Sequence, residues 1–363
     1  MHTVDRPPLS VVVPTHEGST DWLPECLHAL TSQTVPRADL EVLVVLDGPA
    51  PGAAEIVRGV LPSARRLDLA RNRGFAAAAT AGLRAARGDL VAVLNDDATP
   101  EPGWAQALIE AAARYPDAGS FASRVLQHDD PSRIDSAGHG LTRWGEPFER
   151  GHGDLDGPRY DADAAVFGAP ASASAYRREL VRDCGGFDAT MEAYLEDIDL
   201  SLRAQALGFP CRYVAAARVK HRHGASYGEV RAARLIARNR VHVLLKSVPR
   251  NVLRAGGPAA IASIAAGLLG RLGRRQAPVA AALGVLDGLR GARASLTARP
   301  GALGARRVDD STLMEVMSRS EQDLVELCAR PGAGRARRAR ATLARTLSAW
   351  TDSRGRHLQR PRW

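Results

Sequence analysis

Two adjacent carboxylates close the stretch Gly88–Ala98, read GDLVAVLNDDA. Leu90–Leu94 is a short apolar run, the pattern of a strand buried on both faces. Asn95, Asp96 and Asp97 follow it without a break. Burying neighbouring carboxylates is costly, because each loses water and repels the other. Hard oxygen ligands of this kind suit a divalent cation and a phosphate-bearing substrate. In open α/β sheets ligands gather beyond the carboxyl ends of the strands. The plainer alternative is an Asn/Asp turn that caps a helix over Pro100–Ala112.

Two later stretches carry similar side chains. In YLEDIDLSLRAQALG a helix is expected from about Ala193 to Leu207, stopped by Gly208. Glu196 and Asp197 fall in its first turn, where the helix dipole favours anions. The chemical alternative is a general base at a cleft edge. Asp199 and Arg203 are four apart and can pair. In VKHRHGAS, His221 and His223 face one side if the chain is extended. Either they are surface histidines of a basic loop, or a neutral imidazole completes a carboxylate metal site.

The elements that must position these groups alternate. Strands are expected at Leu9–Val13, Leu40–Leu46 and Ala64–Leu69. Helices are expected over the segment carrying Leu23, Cys26, Leu27 and Leu30, capped by Ser19 or Thr20, and at Ala53–Val60 and Phe75–Ala86. Residues 120–165 show little periodicity and read as loops and short strands near the cleft. Ala164–Ala175 reads as a small-residue strand interrupted by Pro170, and Tyr176–Cys184 as a short helix. The alternation predicts an α/β fold: a mostly parallel sheet with helices on both faces. The strands end in polar residues on one expected rim: Thr15 and Glu17, Asp47, Asn72, then Asp96 and Asp97. That favours a ligand cleft.

Composition narrows the partners. The chain has 363 residues, 45% hydrophobic and 25% charged, which is globular rather than disordered. Residues 1–230 carry 23 Lys+Arg against 32 Asp+Glu, whereas residues 231–363 carry 26 against 8. The first part reads as an acidic, cation-using body, residues 1–230. Residues 231–330 read as a basic helical region suited to an anionic membrane surface. Residues 331–363 read as an Arg-rich, frayed tail. Aromatic content of 5% and no nucleic-acid-binding signature argue against nucleic acid as partner. Arg231–Leu253 suggests a basic helix. Ala255–Gly270 is uncharged but built mainly of Ala and Gly, a poor spanning helix, so an interfacial position suits the region better. An ordinary helical domain with a solvated basic face is the alternative. Cys26, Cys184, Cys211 and Cys328 show no metal-like spacing, and MHTVDRPP runs straight into LSVVVP without a signal peptide. Both predict a reduced, cytoplasmic protein, and the basic helices predict a peripheral position on the inner face of the plasma membrane.

Eight stretches in order, LSVVVPT, LVVLDG, ARNRGFAAA, VLNDDA, RIDSAGHG, YRRELV with GGFD, YLEDIDLSLRAQALG and VKHRHGAS, resemble family 2 glycosyltransferases of the GT-A fold. The likeness covers roughly residues 8–250 and is nearest the rhamnosyltransferase-like bacterial branch. It implies an inverting transfer of a sugar from a nucleotide-diphosphate donor to a hydroxyl of a glycan or lipid-linked glycan. It also implies Mg²⁺ or Mn²⁺ held by Asp97 and His221, with His221 preferred over His223. Asn95 stands where the family has the first acid of its D-x-D motif, which leaves Asp97 as the metal ligand and Asp96 to bind ribose or to touch the metal second-hand. Donor contacts are implied for Pro14, Thr15, Glu17, Asp47, Asn72, Gly74, Asn95 and Asp96. The resemblance makes Asp197 the base and Glu196 the residue that shapes it.

Overall fold

The computed structural model describes residues 6–222, 228–270, 277–304, 306–330 and 334–358. Two compact units divide the chain. The first takes in Met1–Gly138, Gly151–Ala204 and Phe209–Ser226; the second takes in His139–Arg150, Gln205–Gly208 and Tyr227–Trp363.

The first unit starts with β1 (Leu9–Thr15), α1 (Leu23–Thr31), β2 (Leu40–Leu46), α2 (Pro51–Val60), β3 (Arg65–Asp68), α3 (Phe75–Ala85) and β4 (Leu90–Leu94). These strands lie parallel in the order β4-β1-β2-β3. They read as continuous apolar runs because both faces are covered. One face packs Val11, Val13, Val44 and Leu94 with Leu23, Leu27 and Val57. The other packs Val12, Val45, Val91 and Val93 with the alanines of α3. Leu23, Cys26, Leu27 and Leu30 are the buried stripe of α1, as their spacing predicts. Its N-cap, however, is Trp22, with no side-chain hydrogen bond, rather than Ser19 or Thr20.

Beyond β4 the expected boundaries shift. Ala98–Pro100 is a short strand, β5, and α4 spans Trp104–Arg114, so Asp97 does not cap a helix. β6 (Ser120–Gln127) is a buried central strand within a stretch expected to hold only loops and short strands. Its polar residues are satisfied by tertiary partners: Trp104 Nε1 donates to Ser123 Oγ at 2.9 Å, and Arg124 pairs with Asp156 and Asp161. Then come β7 (Ile134–Ser136), the hairpin β8 (His139–Leu141) and β9 (Pro147–Glu149) of the second unit, β10 (Ala164–Val166), β11 (Ala173–Arg177) and α5 (Arg178–Cys184). β11 runs antiparallel between β4 and β6. α6 spans Glu196–Ala206, three residues shorter at its start than expected, because Tyr194 and Leu195 have φ of 66° and 64°. β12 (Cys211–His221) is one strand with a bulge between Val214 and Arg218. The sheet is therefore mixed but mostly parallel in its first half, with helices on both faces.

The second unit is helical: α7 (Glu229–Lys246), α8 (Arg250–Leu269), α9 (Ala277–Arg290), α10 (Ala292–Leu303), α11 (Asp310–Ala329) and α12 (Arg335–Leu358). Small residues let its helices close up. A Cβ at Gly284 would lie 2.2 Å from Arg234 O, and one at Gly288 would lie 2.6 Å from Val241 Cβ, so α9 seats directly on α7. Arg143 is buried and donates to both carboxylate oxygens of buried Glu321. The arginine-rich end does not fray over Arg335–Leu358; Ala341, Ala344, Leu347 and Thr351 form a buried stripe on α12. By length and composition α8 is long and apolar enough to cross a membrane, with a best window of mean hydropathy 1.5. This differs from the expectation, because the helix starts at Arg250 and gathers Val252, Leu253, Ile261, Ile264, Leu268 and Leu269.

Candidate active site

The acid motif is built by a tight return. β4 ends at Leu94, and the Asn95 N–H donates to Ser172 O at 2.9 Å. The Ala98 N–H closes a turn onto Asn95 O at 3.1 Å. β5 then runs antiparallel to the end of β12, with Ala98 opposite His221. This geometry brings Asp97 and His221 together: Asp97 Oδ1 lies 3.3 Å from His221 Nε2. The Asn95 amide lies 3.3 Å from the same nitrogen. His223 lies outside the described residues.

Asp96 and Asp97 are both buried. Burial, with Asp97 adding to it, raises the Asp96 carboxyl to about 7, against the opposing pull of the Thr15 and Ser19 hydroxyls. Burial alone would lower the His221 imidazole, but the carboxylates of Asp135 and Asp97 push it up to about 10.

The donor set fits a hard divalent cation. Asp97 Oδ1 and Asn95 Oδ1 are buried and make no hydrogen bond among the described residues. Asp97 Oδ1 faces the His221 ring, against which Asn95 sets its amide nitrogen, and buried oxygens of this kind are ordinarily satisfied. Among the described residues no three His, Cys, Asp or Glu side chains form a complete cage. A partial protein set suits a cation whose remaining positions go to water and substrate phosphates.

The candidate base is tied to this motif through two residues. Ser172 receives the Asn95 N–H, and the neighbouring Ala171 N–H donates to Asp197 Oδ2 at 3.1 Å. Asp197 Oδ1 accepts from the Ile198 N–H at 2.8 Å. Asp197 is half-buried, whereas Glu196 is buried. Burial, then the charge of Asp197, raises the Glu196 carboxyl well above the usual range. Asp199 is held by Arg203 at 2.8 Å, as their spacing predicts.

The segment before α6 is strained. Glu192, Tyr194 and Leu195 all have positive φ, a conformation that costs non-glycine residues free energy and gathers at functional sites. Glu192 O accepts from the Ala76 N–H at 2.9 Å, linking this turn to the start of α3.

The loop Arg71–Gly74 is pinned by Asp47. The two Asp47 oxygens accept from the Arg73 N–H at 2.7 Å and the Gly74 N–H at 2.8 Å. Asn72 Oδ1 also accepts from Gly74 at 3.2 Å. Asp47, Asn72 and Gly74 thus form one cluster, whose local work is to shape the loop. Glu17 accepts from the Gly52 N–H at 3.1 Å in the first turn of α2. Pro14 and Thr15 are buried at the end of β1.

Asp135 was not singled out as a candidate from the sequence. It lies in RIDSAGHG, where no periodicity marks its role, yet it sits 2.8 Å from His221 Nδ1.

The "Glycosyl transferase family 2" family matches residues 10–185. A pre-mycofactocin glycosyltransferase of Mycobacterium tuberculosis is 32% identical over 225 residues, 60% of this chain and 45% of the relative. The chain therefore spans under half the length of that protein. An N-acetylglucosaminyl-diphospho-decaprenol L-rhamnosyltransferase of the same organism is 28% identical over 236 residues, 55% of this chain and 72% of the relative. The crystal structure of GalNAc-T7 with UDP, GalNAc and Mn²⁺ aligns with a TM-score of 0.53 at 14% identity, over 71% of this chain and 52% of that one. Residues 10–185 thus match glycosyl transferase family 2, and the mixed sheet that carries the motifs has a GT-A-like fold.

Proposed function

We propose that this protein is an inverting, metal-dependent glycosyltransferase that moves a sugar from a nucleoside-diphosphate donor to a hydroxyl acceptor. The observation that carries the reading is the meeting of Asp97, His221 and Asn95, with two buried oxygens unsatisfied among the described residues. Asp97 and His221, with the Asn95 oxygen, would hold Mg²⁺ or Mn²⁺. When bound, such an ion neutralises the charge that develops on a departing diphosphate. Asp197 takes the proton of the attacking hydroxyl, its carboxylate aimed by the Ala171 and Ile198 N–H groups. Glu196 stands beside it, its carboxyl raised well above the usual range by burial and by the charge of Asp197. Asp47 and Asn72 hold the loop against which the nucleotide rests.

The donor we favour is dTDP-rhamnose, and the acceptor a glycan or lipid-linked glycan of cell-envelope polysaccharide synthesis. The likeness to the L-rhamnosyltransferase supports this choice. UDP-linked sugars are the competing donors. We place the protein in the cytoplasm, on the inner face of the plasma membrane. Ten large hydrophobic side chains are well exposed among the described residues, and seven lie between Ile261 and Leu296. Residues 250–299 hold eight arginines and one acidic residue.

Calorimetry with a panel of nucleotide sugars, with Mn²⁺ and with EDTA, tests the reading. A donor that binds with Mn²⁺ and releases its nucleoside diphosphate when an acceptor is added is the expected result. Release unchanged in EDTA would overturn the metal assignment. No nucleotide-sugar binding in either condition would overturn the transferase reading.

A further inference from the structure

We propose that Asp135 is a positioning residue for His221, fixing the imidazole so that Nε2 faces Asp97 and a divalent cation. The inference rests on the metal-dependent reading above, and its experiment separates the two.

The backbone delivers Asp135 to this place. On the pairing of β6 with β7, Val125 stands opposite Ser136 and Leu126 opposite Ile134. Asp135 is thus the extra residue of a bulge, a device that re-aims a side chain. β6 also pairs with β12, where Gln127 stands opposite His221. Asp135 and His221 therefore flank the end of the same strand.

The side-chain geometry is directional. His221 Nδ1 donates to Asp135 Oδ2 at 2.8 Å, and both residues are buried. Nε2 is the ring nitrogen left to face Asp97 and Asn95. A carboxylate on Nδ1 keeps the proton there, fixes the ring plane and makes the opposite nitrogen a better donor to a cation. The backbone of Asp135 is held as well: His152 Nδ1 lies 3.0 Å from Asp135 O, and 3.3 Å from Asp135 Oδ1. The Gly153 N–H donates to Ile134 O at 2.8 Å, and the Ile134 N–H donates to Asp154 O at 2.9 Å. The segment after Gly151 thus clamps the bulge.

The test is a double-mutant cycle read by Mn²⁺ affinity, measured on the full chain from the electron paramagnetic resonance signal of free Mn²⁺. Asp135→Asn preserves size but offers the ring an amide that can donate as readily as accept. We expect its Mn²⁺ affinity to fall by roughly 10–100-fold, the scale for losing the outer partner of a ligating histidine. In a His221→Ala background, Asp135→Asn should change Mn²⁺ affinity by less than about twofold, because its partner is gone. Equal losses in both backgrounds would overturn the proposal, as would unchanged affinity in Asp135→Asn beside a clear loss in His221→Ala. If the wild-type chain binds no Mn²⁺, the metal-dependent reading falls, and this inference with it. Thermal melts accompany each variant. Should Asp135→Asn fail to fold, Asp135→Ser, which removes the support without adding an amide, is carried through the same cycle.

Discussion

Glu196 and Asp197 are neighbours in sequence and opposites in environment. Asp197 is half-buried between two backbone donors, and Glu196 is buried with one oxygen, Oε2, unsatisfied among the described residues. Asp197→Asn keeps the shape and removes the proton acceptor. It should retain donor and metal binding while the transfer rate falls by roughly 10²–10⁴-fold. Turnover near the wild-type rate would refute the assignment. Glu196→Gln keeps the shape of a side chain that is not the base and should cost much less. It also has a pH signature. A carboxyl whose pKa is raised on folding stabilises the fold below its unfolded value, about 4.3, and loses that contribution as pH rises towards the folded one. The melting temperature of Glu196→Gln should therefore gain on wild type from pH 4 to pH 7, and equal pH profiles would count against a raised Glu196 carboxyl. Asp97→Ala should abolish transfer and remove the metal-strengthened part of nucleotide binding, a difference that titrations with and without EDTA would reveal. The acids were legible because adjacent carboxylates after a buried run are costly without a ligand. Asp135 was not, because its meaning lies in a bulge and a partner 86 positions away.

At the scale of elements, the site depends on turns that hold unusual backbone. Gly74 has φ of 85°, and a Cβ there would lie 2.8 Å from Glu192 Cγ and 2.9 Å from Glu192 O. Its backbone, with ψ of 165°, lies in a region that is essentially glycine-only and costs another residue about 1–3 kcal/mol, and backbone at 2.9 Å cannot yield cheaply. Gly74→Ala should lower the melting temperature and weaken donor binding together, because the same contact ties the Asp47-held loop to the strained turn before α6. A variant with wild-type stability and donor affinity would show that the loop does not depend on this approach. Elements driven by local pattern were read well from the sequence: β2 spans Leu40–Leu46 as expected, and the buried stripe of α1 is the expected four residues. Elements decided by distant partners were not. β6 buries Ser120, Ser123 and Arg124, whose polarity looks like loop until Trp104, Asp156 and Asp161 are in place. The start of α6 shifted because positive φ at Tyr194 and Leu195, which no propensity favours, precedes it.

Across the whole molecule, charge and exposed apolar surface are unevenly shared along the sequence. On α9, Val279, Leu283 and Leu286 recur at helical spacing and are all exposed, with Leu289 following. Such a stripe is costly in water but natural at a bilayer interface, particularly beside arginines. Each basic side chain near an anionic leaflet contributes about 1 kcal/mol, and this attraction fades within a Debye length of about 8 Å at physiological salt. Electrostatics should therefore bring the protein to the surface, and the leucines should hold it there. The protein is expected to co-sediment with anionic vesicles at low salt, release as salt rises, and bind neutral vesicles poorly. Leu283→Ser with Leu286→Ser should reduce binding to anionic vesicles without shifting the melting temperature, since both side chains are already exposed. The length and hydropathy of α8 frame the alternative. Retention by natural membranes through high salt and alkaline carbonate would mean that α8 inserts across the bilayer, and no binding to either vesicle would reject the membrane surface as a partner.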